Sequence, residues 1–229
     1  LHYKFAKTSL EKGFNVIVDK PITTSLKETK DLLKMAKNKK LLLSEATLFN
    51  YHKTFKKIIQ LCKGKKNILH IQSDFNVPLS KKPKKLVSIK GDCEMDMSPY
   101  AASIIRLFTN NKIKKLKVYK EYFNNSIAVK NFYIMAKFNK CTYFGNFGLD
   151  REYMSQICFF TKNRIVLSPK RVFALPPNKN VDILIQKKNK RNIIKVKKDD
   201  CIENFFTKIL YSLKSKKFEF FYKNLLDDA

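Results

Sequence analysis

A chain of 229 residues with 48 Lys and Arg against 19 Asp and Glu carries a net charge of +29, and its length suffices to bury roughly 70–75% of the extended surface, in one large domain or in a partial domain and a complete one. Five cysteines, at 62, 93, 141, 158 and 201, form no C-x-x-C pair and their odd number argues against a disulfide framework, so they read as free thiols in a reducing compartment. No apolar run reaches the roughly 18 residues of a membrane span, and three scattered histidines without a cysteine pair leave no local spacing for a metal.

The lysines are spread through every element and come with many Asn, Ile and Phe residues and no nucleic-acid motif. They read as a solvated surface rather than a phosphate-backbone face. That argues against nucleic acid as the partner, while the charge would still concentrate an anionic substrate.

In chain order, Phe5, Ala6 and Leu10 share one face of a first helix, and Gly13 stands where a left-handed C-terminal cap is expected. An apolar strand, Val16-Ile17-Val18, ends in Asp19-Lys20-Pro21. In an open parallel α/β sheet, ligands sit just beyond the carboxyl ends of the strands, which is where this strand delivers Lys20. Ser25-Leu26-Lys27-Glu28 is a capping box that opens a second helix with Thr29, Leu32, Leu33 and Ala36 at helical spacing. Leu41-Leu42-Leu43 reads as a strand buried on both faces.

These landmarks, with His2, Ser44-Glu45-Ala46 and Tyr51-His52, resemble the second half of the nucleotide-binding domain of the glucose-fructose oxidoreductase and inositol dehydrogenase family, Gfo/Idh/MocA. Family members carry Glu-Lys-Pro where this chain has Asp19-Lys20-Pro21. The run from Gly91 through Asp96 to Tyr100 is similar to the family's second signature, a Gly and then an Asp followed four residues later by His or Tyr. Phe147 to Tyr153 and Arg171-Val172-Phe173 look like late strands of its sheet domain. The family opens with a strand, a Gly-rich phosphate turn and a helix, whereas this chain has five glycines and no G-x-G-x-x-G. Leu1 falls at the family's fourth helix, so the resemblance implies an N-terminal truncation of about three β-α units, roughly 80 residues at about 25–30 each.

From about residue 68 the pattern alternates as in an antiparallel sheet. Leu69 to Phe75, Lys115 to Lys120, Asp182 to Gln186 and Ile193 to Val196 are strands, with Lys187 to Asn192 as a polar hairpin tip. Val77 to Lys85 reads as a loop-rich insertion. Helices are expected over Pro99–Phe108, with Pro99 in the first turn, and over Ile202–Leu213. Phe132, Tyr133, Ile134, Phe138, Tyr143, Phe144 and Phe147 are expected on the outer face of the sheet, or as the domain core. The fold class is α/β plus α+β: the C-terminal half of a Rossmann-like domain over 1–50, then a mixed, largely antiparallel sheet domain over 51–229 for substrate and oligomerisation, its last helices free to pack back on the first.

The resemblance assigns roles residue by residue. Lys20, Tyr100 and Asp96 are the catalytic candidates, Asp19, Lys20, Pro21 and Glu45 line the cofactor, and Lys20, Asp96, Tyr100 and Arg171 contact substrate. The two catalytic elements are expected to meet between the domains. A phenol titrates near pH 10 when unperturbed, so Tyr100 needs a neighbouring cation to act as a base, and Lys20 is that cation. The alternative readings are Tyr100 as a half-buried aromatic packed under the sheet, Glu45 as a helix or strand-end salt bridge, and Arg171 with Tyr153 as sheet contacts. His2 reads as a residue that caps or packs locally, and at His52 the family's His-Pro step is loosened by Lys53.

The resemblance implies an oxidoreductase using NAD or NADP on a sugar, cyclitol or nucleotide-linked sugar, as a cytoplasmic homo-oligomer, dimer or tetramer. The other readings are a non-catalytic remnant or interaction module that keeps the sheet domain, and a basic nucleic-acid-binding protein.

Overall fold

Helical and strand periodicities alternate over the first 45 residues, and the backbone follows them. The computed structural model describes residues 1–78, 92–109 and 112–229, whose contacts group into two units, Leu1–Leu48 with Ile202–Ala229, and Phe49–Cys201. Residues 79–85 of the expected insertion, and Gly91, lie outside the described residues.

In the first unit, α1 (His2–Glu11) buries Ala6 and Leu10, four apart. Phe5 is 62% exposed, against expectation, because one residue turns the helix by about 100° away from that stripe. Gly13 (φ +85) ends α1 as a left-handed cap, with Gly13 N–H on the Leu10 carbonyl and Phe14 N–H on that of Ser9. β1 (Val16–Val18) follows, and α2 (Leu26–Lys39) buries Thr29, Leu32, Leu33 and Ala36. Only half of the capping box forms. Glu28 N–H donates to Ser25 Oγ at 3.2 Å, but the Glu28 carboxylate takes the Thr24 N–H instead of that of Ser25, whose N–H goes to Thr23 Oγ1.

β2 (Leu43–Glu45) pairs in parallel with β1. It starts two residues later than expected because the Leu41 N–H closes α2 on the Ala36 carbonyl and the Leu42 N–H goes to Asn15 Oδ1. The second face of β1 is open, with Ile17 40% exposed. Two C-terminal helices, α5 (Cys201–Ser215) and α6 (Glu219–Asp228), complete this unit. On α6 the Tyr222 hydroxyl donates to the Leu41 carbonyl, and burial pushes its phenol up to about 12.

The second unit opens with α3 (Thr54–Leu61) and builds one sheet from β3 (Ile68–Asn76), β4 (Lys115–Tyr122), β5 (Val129–Lys137), β6 (Thr142–Gly148), β7 (Met154–Thr161), β8 (Ile165–Leu167), β9 (Val181–Lys187) and β10 (Lys190–Val196). The order is β10-β9-β8-β7-β3-β6-β5-β4, antiparallel except for β3 with β6. The β9–β10 tip is tighter than expected, since the strands run on to Lys187 and Lys190 and leave Lys188 (φ 52) and Asn189 to turn.

One face of the sheet is covered by α4 (Cys93–Phe108), whose Met97, Ala101, Ile104 and Phe108 join Phe132, Tyr143, Phe147 and Phe159 in the core. The expected outer aromatic patch is therefore divided. Phe132, Phe138, Tyr143 and Phe147 are buried, and Tyr133, Ile134 and Phe144 are partly buried. Side chains alternate across a strand, so a run of aromatics cannot all face one way. Inside, Tyr143 Oη and Ser73 Oγ lie 2.7 Å apart, and Gly145 is needed beneath them, because a Cβ there would fall 2.6 Å from that hydroxyl.

No described helix is long and apolar enough to cross a membrane. All five cysteines are free, with Cys62 and Cys93 buried.

Candidate functional site

The parallel pair β1 and β2 places Asp19, Lys20, Pro21 and Glu45 together at its carboxyl end. The Lys20 N–H donates to Asp19 Oδ1 at 2.8 Å, and the Lys20 side chain is half-buried beside an exposed Asp19. Glu45 Oε2 accepts the Ile22 N–H at 2.7 Å, and Oε1 accepts the Thr47 hydroxyl at 3.2 Å. Glu45 thus ties β2 to the segment that follows Lys20. His2 is not a local cap, because its Nδ1 donates across the unit to the Pro21 carbonyl at 2.8 Å. The turn bearing Lys20 is held from both sides.

Asp96 and Tyr100 stand one turn apart on α4, in the second unit. The helix begins six residues earlier than expected, with Asp92 as N-cap. Its Oδ1 accepts the Met95 N–H at 2.9 Å and its Oδ2 accepts the Val129 N–H of β5 at 3.0 Å. Pro99 is consequently in the helix interior, where it has no N–H to offer the Met95 carbonyl. Asp96 lies in the first turn, where a carboxylate is favoured by the helix dipole. The ring of Tyr100 packs among three phenylalanines, with centroids 5.3 Å from Phe49, 5.0 Å from Phe75 and 5.0 Å from Phe173. The aromatic-packing reading of Tyr100 describes its ring.

Phe173 leads to the third element. Two residues before it, Arg171 adopts the left-handed region (φ 60), a conformation a non-glycine residue holds at about 1–2 kcal/mol, and its guanidinium lies 6.0 Å from the Tyr153 ring centroid. Ser155 holds this stretch, its carbonyl accepting the Val172 N–H and its hydroxyl the Phe173 N–H. Tyr153, Met154, Gln156, Lys170 and Arg171 line a cavity of about 530 Å³. An aromatic face, an amide and two cations suit an anionic ligand with a flat group. Lys170 and Gln156 were not singled out from the sequence, where only the adjacency of Lys170 to Arg171 hints at them.

Also missed was a polar network on the open face of the sheet. Asp74 Oδ1 accepts Asn146 Nδ2 at 2.9 Å, Asn146 Oδ1 accepts the Arg151 guanidinium at 2.9 Å, and Arg151 reaches the Tyr133 hydroxyl and Glu121. Hydrogen bonds from Asn131 and Tyr133, with Arg151 nearby, hold the Glu121 carboxyl below its ordinary range. Among the described residues no group of three His, Cys, Asp or Glu side chains could hold a metal.

Residues 1–47 match the model of the Gfo/Idh/MocA family, described as an oxidoreductase family with an NAD-binding Rossmann fold. Among curated proteins none matches by sequence. Among solved structures, the whole chain superposes on 71% of KijD10, a 3-ketoreductase from Actinomadura kijaniata in complex with TDP-benzene and NADP, with a TM-score of 0.90 at 18% identity. It also superposes, over 98% of its length, on 71% of the UDP-N-acetylglucosamine 3-dehydrogenase GnnA from Acidithiobacillus ferrooxidans, with a TM-score of 0.77 at 14% identity. At these identities the likeness establishes the fold, a Rossmann-type segment with a sheet domain. The Gfo/Idh/MocA match covers the segment that carries Asp19, Lys20, Pro21 and Glu45.

Proposed function

We propose that this protein is an NAD(P)-dependent oxidoreductase acting on a secondary hydroxyl or ketone of a sugar, and that the sugar is nucleotide-linked. The observation that carries this reading is the family match over the strand end at Asp19-Lys20-Pro21. The nucleotide sugar is favoured by the ligand and substrate named for the two solved structures, and by the Tyr153, Lys170 and Arg171 cavity, whose ring and cations suit a base and a diphosphate. The donor set at the strand ends fits one side of a dinucleotide, with Glu45 as acceptor and Lys20 as donor, while the 229 residues hold no G-x-G-x-x-G for the pyrophosphate.

When bound, the nicotinamide supplies or accepts the hydride. Asp19, Lys20, Pro21 and Glu45 line its side of the site. Tyr100 gives or takes the proton of the reacting oxygen, Lys20 supplies the positive charge that makes a phenol competent near neutral pH, and Asp96 orients a substrate hydroxyl. Arg171 binds substrate through its charge.

The protein acts as a homo-oligomer through the open face of the sheet. There Ile193, Leu184, Leu167, Cys158, Gln72, Phe144 and Met135 fall on one row across the strands, apolar but for Gln72 and Cys158, with Ile193 65% and Met135 49% exposed. Five free thiols suit the reducing cytoplasm.

The test uses the natural polypeptide that carries these residues, with reduced cofactor and a TDP- or UDP-linked keto sugar. Tyr100→Phe and Lys20→Met should each lower turnover by about 10²–10⁴ with cofactor affinity far less affected. If the two share one proton-transfer unit, the double variant should be scarcely slower than the worse single one. Unchanged turnover in both single variants would place the proton chemistry elsewhere.

A further inference from the structure

A second cavity, of about 550 Å³, lies at the other end of β7. Met154 and Tyr153 line the first cavity, Thr161 and Lys162 line this one, and the strand between them is about 23 Å long at about 3.3 Å per residue. Three turns build it. The α3 C-terminus contributes Lys63, the β7–β8 turn Lys162 and Arg164, and the β9–β10 tip Lys187 and Lys188. The pairing of Ile165 with Gln186 brings the last two turns side by side.

Five of the nine lining residues are Lys or Arg and none is acidic, against 48 Lys and Arg in 229 residues of the chain. General lysine richness would put about two there. Arg164 has a structural task, since its Nη1 donates to the Leu61 carbonyl at 3.3 Å, where a helix C-terminus favours a cation. One guanidinium meets that need. It leaves Lys63, Lys162, Lys187 and Lys188, four ammonium groups that repel one another around a concave polar volume of small-ligand size.

We propose that this cavity is a binding site for a small polyphosphate, held through its phosphate oxygens and separate from the substrate cavity. A multivalent anion cancels the mutual repulsion of the four lysines, and Arg164, fixed by its bond to Leu61, offers a planar fork to one phosphate. A concave site fed by three turns suits a compact anion better than the extended track of a nucleic-acid backbone.

Calorimetry of the protein with inorganic tripolyphosphate at low salt tests this, with adenosine triphosphate as a second arm. One site per chain is expected, weakening as salt rises. Replacing Lys162, Lys187 and Lys188 together by Ala should weaken it by at least about tenfold, as loss of three exposed ion contacts implies. Removing the same charge at Lys115, Lys117 and Lys137, on β4 and β5, should leave it unchanged. Equal affinity for the two probes assigns recognition to the phosphates alone, and tighter adenosine triphosphate assigns a nucleoside polyphosphate. Equal losses in the two triple variants, no saturable site, or displacement of tripolyphosphate by a lower concentration of single-stranded oligonucleotide phosphates would each overturn the proposal.

Discussion

Asp92→Ala should strike both the stability of the sheet unit and the seat of its catalytic candidates. The wild-type carboxylate is 8% exposed and accepts two backbone N–H groups, that of Met95 at the start of α4 and that of Val129 on β5. Loss of an N-cap costs about 1 kcal/mol. Leaving the Val129 N–H buried without a partner costs about 1–3 kcal/mol more. The expected loss is therefore about 2–4 kcal/mol, which at a urea slope of about 2 kcal/mol/M moves the unfolding midpoint down by about 1–2 M. Asp92→Asn keeps an oxygen for Met95 but turns an amide donor toward the Val129 N–H, so it should recover about 1 kcal/mol of that loss. Urea titration followed by circular dichroism gives the midpoints, and amide exchange at Met95 and Val129 locates the effect. A midpoint within about 0.3 M of wild type, or unchanged protection at both amides, would refute the reasoning, since an exposed carboxylate would lose no more.

Gly148→Ala should destabilise the sheet unit by about 1–3 kcal/mol, because its Cβ would lie 2.5 Å from Asn131 Oδ1 and 2.8 Å from Asn76 Oδ1, both on buried side chains; the melting temperature of the variant reads this directly. His52 is buried, its pKa is lowered chiefly by that burial, and its Nδ1 accepts the Thr54 N–H at 3.1 Å. The unfolded chain therefore binds this proton first, and stability should fall as pH drops below about 6.5 toward the lowered folded value. His52→Asn should flatten that part of the curve of urea midpoint against pH, and an equally steep curve in the variant would assign the dependence to other groups. The 229-residue polypeptide itself should bind NADH and NADPH only weakly, because pyrophosphate recognition rests on a Gly-rich turn these residues lack. Micromolar binding by calorimetry would contradict this.

The first helix, the first parallel strand and the second helix were legible because each carries its own signal: Ala6 and Leu10 at helical spacing, Val16-Ile17-Val18 as an apolar run after Gly13 at a left-handed cap, Ser25 before an amphipathic run; the second parallel strand was legible only at Leu43. The start of α4 was not. Asp92 has Met95 rather than Glu or Gln three residues on, so half of the capping signal is missing, and Pro99 marks a false beginning. The hydrophobic set of the sheet was legible as composition, but its division between two faces depends on register, which pairs Phe144 with Met135 on one side and Phe147 with Phe132 on the other. Lys20 stood out by its seat between an apolar strand and Pro21 together with the resemblance to a family, whereas Tyr100 stood out through the resemblance, since nothing local separates it from an aromatic packed under the sheet.

The basic cavity shows most directly why charge resists reading from sequence. Lys63, Lys162 and Lys187 lie in separate turns across more than a hundred residues, and each alone is one more solvated cation on a chain of net charge +29. Sheet pairing decides which of them become neighbours. Electrostatic function depends on that proximity, because the interaction of two charges falls with distance and with the screening between them. Neutralising this cluster and an equal number of lysines at the far edge of the sheet changes composition identically, so a difference in anion affinity between the two variants can come only from the fold.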